Sequence, residues 1–457
     1  MQESEEKNRE LLELVQTKQF RKLKEMLAEM NEADIAEFLE DVPQETAVLV
    51  YRMLPKETAT DVFAFLPVEQ QENIINGIND SELKNIVEDL YVDDAVDMLE
   101  ELPATVVRRV LKNATPETRN TINQFLKYPD NSAGSVMTSE YIGLKRGMTV
   151  SQAFDFIRKN GVDKETIYIC YVTDRERHLE GVVTVRDLLM NDYDTPIENI
   201  MDTHVIKAVT TDDQEEVADN FNKYDLLCMP VVDRENRLVG IITIDDAVDV
   251  MEDEATEDIE KMAAIVPSDK TYMRSSIFDI FKKRIPWLLL LMVSATFTGM
   301  IISYYENQLG AMLCLTSFIP MLMDSSGNAG SQSSVTIIRG LSLGEIEFSD
   351  LLRVIWKEIR VAVLCGCALS VACFAKIMIV DYFILHTTGV TPLVAFAVSL
   401  TLAITVLFAK VVGCTLPMLA QKVGFDPAVM ASPFITTIVD AIALLTYFRI
   451  ACLLLPL

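Results

Sequence analysis

Asp440 stands near the middle of a stretch, Pro427 to Phe448, that carries no other charged residue. A charged side chain at the centre of a bilayer costs roughly 2.5–3.5 kcal/mol on insertion scales, so a carboxylate at that depth faces water, an ion or a partner. Ser432 and Thr436 precede it at intervals of four, which puts three oxygen-bearing side chains on one face of a helix. Carboxylate and hydroxyl oxygens suit hard cations, and Mg2+, which dehydrates reluctantly, needs few of them. A second polar interruption runs Asp324-Ser-Ser-Gly-Asn328-Ala-Gly-Ser-Gln-Ser-Ser334 inside another apolar segment. Its small residues allow a neighbouring helix to approach closely, and irregular backbone at membrane depth is tolerated only where protein or water satisfies it. Ion passage is the chemistry these residues suggest first.

Softer chemistry is poorly supplied. The chain has three histidines and eight cysteines with no CxxC pair, which speaks against a zinc site or a disulfide framework. The cysteines read as small apolar residues. No nucleophile stands beside an acid/base partner of the kind a lipid-modifying enzyme would need, so the chain reads as a non-enzyme.

Carboxylates are concentrated elsewhere. Eight of the fourteen residues from Asp245 to Asp258 are acidic, and Asp93, Asp94 and Asp97 form a second cluster. Like charges four apart destabilise a helix unless cations neutralise them. The net charge of -28 is unevenly spread: residues 1–270 hold 28 basic and 58 acidic side chains, the remainder 12 and 10. Such a field collects cations and disfavours nucleic acid and anionic lipid. An acidic soluble half therefore precedes a membrane half.

The elements that position these residues follow from pattern. Between Asp34 and Lys127 a unit of about 12 residues recurs, starting at Val42-Pro43, Leu54-Pro55, Leu66-Pro67, Asn79-Asp80, Tyr91-Val92, Leu102-Pro103 and Thr115-Pro116. Proline in a first turn followed by Glu or Gln starts a helix, and short helices that cannot bury a face alone stack into a superhelix. A longer repeat aligns TDRERHLEGVVTVRDLL from Thr173 with VDRENRLVGIITIDDAV from Val232, and Val136-Met-Thr138 with Ile200-Met-Asp202. Each copy predicts a helix, two strands joined by a charged turn, and a second helix. Five apolar segments then follow, at Ile285–Tyr305, Asn307–Ile338, Arg360–Leu385, Thr391–Ala420 and Pro427 onward. Each is long enough to cross about 30 Å of hydrocarbon. Lys282, Lys283, Arg284, Arg339, Arg353, Lys357, Arg360 and Lys422 flank one side and the alternate connections lack Lys and Arg. By the positive-inside rule the acidic half is cytoplasmic and the C-terminus extracytoplasmic. The N-terminus lacks the basic and apolar regions of a secretory signal.

The longer repeat resembles a tandem pair of CBS domains, modules that commonly sense adenine nucleotides. The resemblance implies ribose and phosphate contacts at Thr184 and Asp187 and at Thr243 and Asp246, with ATP as a possible ligand. The whole chain resembles the MgtE family of magnesium channels, on PMLMDSSGNAGSQS with the following RGLSLGE, and on DPAVMASPFITTIVDAIALLTYF. That resemblance implies a multidomain membrane protein: an α-superhelical N domain (1–132), an α+β CBS pair (133–250), a connecting plug helix (251–280) and an all-α five-span domain (281–457). It further implies a homodimer in a bacterial inner membrane with one pore on the two-fold axis, in which Asp440 binds hydrated Mg2+ and Asn328, Thr436 and Ser432 line the site. Regulatory Mg2+ is implied at Asp94, Asp246, Asp249, Glu254, Glu257, Asp258 and Asp426. The competing expectations are an ion-coupled carrier and a membrane-anchored CBS sensor; five spans without an inverted repeat favour a channel over a carrier.

Overall fold

The computed structural model describes residues 2–162, 164–268, 272, 275–305, 312–430 and 432–455. It divides into two compact units, Met1–Met251 and Glu252–Leu457.

The first unit opens with α1 (Gln2–Gln16), α2 (Phe20–Leu27), α3 (Glu32–Glu40), α4 (Gln44–Tyr51), α5 (Lys56–Ala64), α6 (Val68–Gly77), α7 (Asp80–Asp89), α8 (Val92–Glu101), α9 (Ala104–Asn113) and α10 (Pro116–Phe125). From α4 onward the helices start where the 12-residue repeat predicts. Pro43, Pro55, Pro67 and Pro103 stand at the N-cap, just outside the helix, and only Pro116 lies in the first turn. Asn79 caps α7 with a reciprocal capping box to Glu82. Alternate helices pack on one another, α3 on α5, α5 on α7 and α7 on α9, with α4 on α6, α6 on α8 and α8 on α10. Each buries two to six side chains, too few to be stable alone, so the stacking is what makes them helical.

Two three-stranded sheets follow: β1 (Ile142–Lys145), β2 (Ile169–Thr173) and β3 (Leu179–Thr184), then β4 (Ala208–Val209), β5 (Cys228–Val232) and β6 (Leu238–Thr243). In each, the middle strand pairs parallel with the first and antiparallel with the third. The sequence repeat predicted the hairpins; β1 and β4, of four and two residues, are additions that carry too little pattern to register. Helices α11 (Val150–Asn160), α12 (Val185–Met190), α13 (Gln214–Tyr224) and α14 (Ile244–Met262) complete the two copies. The copies exchange segments. Thr138 of the first makes both backbone hydrogen bonds with Ile241 of the second, and Asp202 makes both with Val182 of the first. Gly181 and Gly240 permit this, because a Cβ at either would strike the carbonyl of Asp202 or Thr138 at 2.7 or 2.6 Å.

The second unit holds the end of α14 and long helices α15 (Ile277–Tyr304), α16 (Ile319–Ser342), α17 (Leu351–Lys376), α18 (Pro392–Val423) and α19 (Ser432–Leu454). Four segments are long and apolar enough to cross a membrane: Ile277–Tyr304, Phe348–Ile384, Pro392–Val423 and Pro427–Leu454. Of the five predicted spans the second, α16, is the least apolar and falls outside those four. Its 24 residues reach about 36 Å, but the small and polar side chains that make it interesting lower its apolar character. It packs against α18 and α19 instead of presenting a uniformly apolar surface. None of the described residues of α15 is buried, whereas α18 is buried along much of its length.

Candidate functional site

In the second unit α16 and α19 meet through small residues. A Cβ on Gly327 would lie 3.2 Å from Thr436 Cγ2 and 4.0 Å from Asp440 Oδ1, so the absence of a side chain there is what lets α19 bring its polar face against α16. Asp324, Asn328, Gln332 and Thr336 recur every fourth residue on α16 and are all exposed, while Thr436 and Asp440 are half-buried. Asp324, to which the sequence assigned no role, is near enough to act electrostatically on Asp440. Thr436 donates its hydroxyl to the Pro433 carbonyl at 3.0 Å, leaving oxygen lone pairs available. Ser432 opens α19, and its side chain lies outside what the structure describes.

The simplest structural explanation of Asp440, pairing with Lys410 or Lys376, is set aside by the contacts those lysines make. Lys410 Nζ lies 3.1 Å from Ser333 Oγ and 3.8 Å from Glu358 Oε2. Lys376 pairs with Asp381 at 2.9 Å.

Carboxylates of the first unit come together, Asp93, Asp94, Asp97 and Asp246 with one the sequence did not single out, Glu165. Burial, reinforced by neighbouring carboxylates, pushes Asp94 up to about 6, Asp97 to about 7, Asp246 to about 6 and Glu165 to about 8. Asp93 is raised well above the usual carboxylate range by the same causes. Asp94 and Asp246 each act on Glu165, and Asp249 acts on Asp246. Glu165 was not foreseen: a lone Glu before β2, it is marked as part of the cluster only by the fold.

At the other end of α14, in the second unit, Lys261 bridges Glu257 Oε1 and Asp426 Oδ2, both at 2.6 Å. Desolvation would lower Lys261, but these hydrogen bonds hold it above its ordinary value. Burial and then Asp426 raise Asp258. Glu254 lies one turn earlier on the same helix. Thus Glu257, Asp258 and Asp426 lie together around Lys261, a cation the sequence reading did not single out. Among the described residues no three His, Cys, Asp or Glu side chains enclose a metal ion by themselves. Paired carboxylates with water between suit Mg2+, which commonly takes one or two carboxylates and keeps several waters.

The expected nucleotide residues have local roles. Thr184 Oγ1 donates to Asp187 Oδ2 at 2.6 Å and Thr243 Oγ1 to Asp246 Oδ2 at 2.7 Å, each starting a helix. Asp246 thus belongs to a cap and to the acidic cluster at once.

Superhelix, paired α+β modules and a helical unit with a carboxylate in an apolar helix define the class of a CBS-containing membrane transport protein. Family models agree in order along the chain: the MgtE intracellular N domain at 30–131, CBS domains at 133–193 and 197–253, and the MgtE divalent cation transporter at 319–450. The magnesium transporter MgtE of Thermus thermophilus is 38% identical over 80% of both chains, and that of Bacillus subtilis 34% identical over 79% of this chain and 77% of its own. The cytosolic domain of the Mg2+ channel MgtE in complex with ATP, a crystal structure, matches at a TM-score of 0.50 and 37% identity, covering 52% of this chain and 98% of that one. The chain belongs to the MgtE family. None of the matching family models is catalytic.

Proposed function

We propose that the protein is a homodimeric Mg2+ channel of the bacterial inner membrane, importing Mg2+ down its electrochemical gradient. The observation that carries this is the polar strip of α16, Asp324, Asn328 and Gln332, exposed beside Thr436 and Asp440 in an otherwise apolar helical unit. Such a strip cannot face hydrocarbon cheaply; it faces water or a second copy. Two copies related by a two-fold axis bring two Asp440 carboxylates to one pathway, which supplies charge for a hydrated divalent ion without stripping its shell. Asn328, Thr436 and Ser432 line it.

The acidic soluble domains face the cytoplasm, and the C-terminus lies outside. When cytosolic Mg2+ is high, ions shared among Asp94, Asp246, Asp249, Glu254, Glu257, Asp258 and Asp426 hold α14 in the closed arrangement; when it falls, carboxylate repulsion favours the open one. Adenine nucleotide at Thr184, Asp187, Thr243 and Asp246 bears on the same equilibrium, since Asp246 serves both sets. The magnesium transport of the relatives and the ATP complex of a relative's cytosolic domain support this reading.

The test is Mg2+ uptake by proteoliposomes containing the full chain or Asp440→Ala, at low and at ~10 mM Mg2+ on the face bearing the soluble domains, a level that saturates weak carboxylate sites. Uptake that needs Asp440 and stops at high Mg2+ is expected. Uptake unaffected by Asp440→Ala would overturn the pathway, and uptake insensitive to that Mg2+ would overturn the gate.

A further inference from the structure

Two charges are buried in the second unit away from the polar strip. Lys410 on α18 and Glu358 on α17 have side chains 6% and 13% exposed, and Ser333 of α16 lies between them. Ser333 donates to Glu358 Oε2 at 2.6 Å while Lys410 donates to Ser333 Oγ at 3.1 Å, so three helices share one hydrogen-bonded chain. Removing an ion pair from water costs several kcal/mol per ion, which attraction and hydrogen bonding only partly offset, so such a pair is weak evidence for stability. What a buried polar contact does supply, in the best-attested cases, is register.

At the crossing itself, register rests on few directional contacts. Where α16 crosses α18, a methyl on Gly413 would collide with the Gly330 carbonyl, and a Cβ on Gly330 would lie 3.2 Å from the Ala409 carbonyl. At this crossing the two backbones touch directly, and apolar side chains pack on either side of it, Leu322 near Leu402 and Val406 and Ile337 near Cys414 and Met418. Directional bonds across it include Ser326 to Thr405 at 2.8 Å and Lys410 to Ser333. Ser333 sits six residues beyond Gly327, whose height decides what faces Thr436 and Asp440. Sliding α16 by one residue would move Asn328 about 1.5 Å along the axis and about 100° around it.

We propose that Lys410 is a positioning residue of the ion pathway: through Ser333 and Glu358 it sets the register of α16, and so which groups of α16 face Asp440. This rests on the reading of α16 and α19 as pathway helices. The pair is neutral overall, so it orders the helix without placing net positive charge near a cation route.

The experiment uses the full chain with three changes: Lys410→Met with Glu358→Gln, which removes both charges together, and Ser333→Ala, which removes only the bridge. Register is read by oxidative disulfide formation between S326C and T405C, identified by peptide mass spectrometry, and function by the ratio of Mg2+ to Ca2+ uptake. The charge-free double variant is expected to cross-link at least fivefold more slowly and to lose at least tenfold in the uptake ratio, and Ser333→Ala to move both in the same direction by less. Parental cross-linking and parental selectivity in either variant would overturn the proposal. Should the double variant fail to assemble, Ser333→Ala decides the question alone. Uptake independent of Asp440 would sink the pathway reading, and the cross-linking rate would still report whether Lys410 fixes register.

Discussion

Asp440 was legible in the sequence because a carboxylate in an apolar run is conspicuous whatever surrounds it. Lys410 was equally conspicuous, yet its partner was not, because Glu358 lies near the charged end of another helix, where an acid is unremarkable. Gly327 shows the same division: the run of small residues around it announced close packing, but which helix it would meet needed coordinates, and Gly413, alone in an apolar run, announced nothing. The glycines make a sharp prediction. In Gly413→Ala the new methyl collides with the Gly330 backbone, so helices must part; overpacking of this kind costs typically 1–3 kcal/mol. The expected outcome is a lower unfolding temperature of the detergent-solubilised protein and reduced uptake. In Gly327→Ala the Cβ meets a Thr436 methyl that can yield by a few tenths of an ångström. Its unfolding temperature should stay near the parent's while uptake falls, because the added methyl sits 4.0 Å from Asp440 Oδ1. Equal stability losses in the two variants would show that Gly327 serves packing alone.

Among the elements, the superhelix was the most legible, since Leu-Pro and its equivalents recur at each helix start and stacking needs only that rhythm. The exchange of segments between the CBS copies was not, because the residues that cross to pair with Ile241 and Val182, Thr138 and Asp202, lie in no run of strand pattern. Helix α14 was read as a row of acids that external cations would neutralise. The structure supplies one cation from the helix itself, Lys261, and seats Met262 beside buried Ile338 and Ala428. Each partly exposed ion pair of Lys261 is worth about 0.2–1 kcal/mol, enough to bias docking of the helix end but not to fix it. In Lys261→Met the segment after Met262 should be cut by protease roughly two- to thirtyfold faster in EDTA, where the carboxylates of Glu257, Asp258 and Asp426 have lost their internal counter-charge, a span that follows from the loss of both pairs. Added Mg2+ should slow cutting by a larger factor than in the parent, because the ion no longer competes with an ammonium for the same oxygens. Identical cutting rates in EDTA would mean that Met262 packing alone holds the helix end.

At the scale of the whole chain, the negative charge of residues 1–270 is not merely solvated surface. Asp93, Asp94, Asp97, Asp246 and Glu165 are drawn together and partly desolvated, so folding works against their ionisation. The sign follows. Their folded pKa values lie above the unfolded ones, so in the folded state they bind protons that the unfolded state has released. The stability they contribute is full below about pH 4 and lost as pH rises through about 6 to 8. A bound divalent cation relieves the same repulsion, and by linkage whatever binds the compact arrangement stabilises it. Hydrogen exchange of α8, which carries three of these carboxylates, should therefore be faster at pH 8.5 than at pH 6 after correction for the intrinsic rate. A shift of even one unit shared among the groups is about 1.4 kcal/mol, or tenfold in the opening equilibrium. With ~10 mM Mg2+ the difference between the two pH values should shrink, since the ion does at high pH what the protons do at low pH. Exchange of α8 that ignores both pH and Mg2+ would mean that the cluster is held apart by water in solution, and would remove the electrostatic spring on which the proposed Mg2+-controlled closing depends.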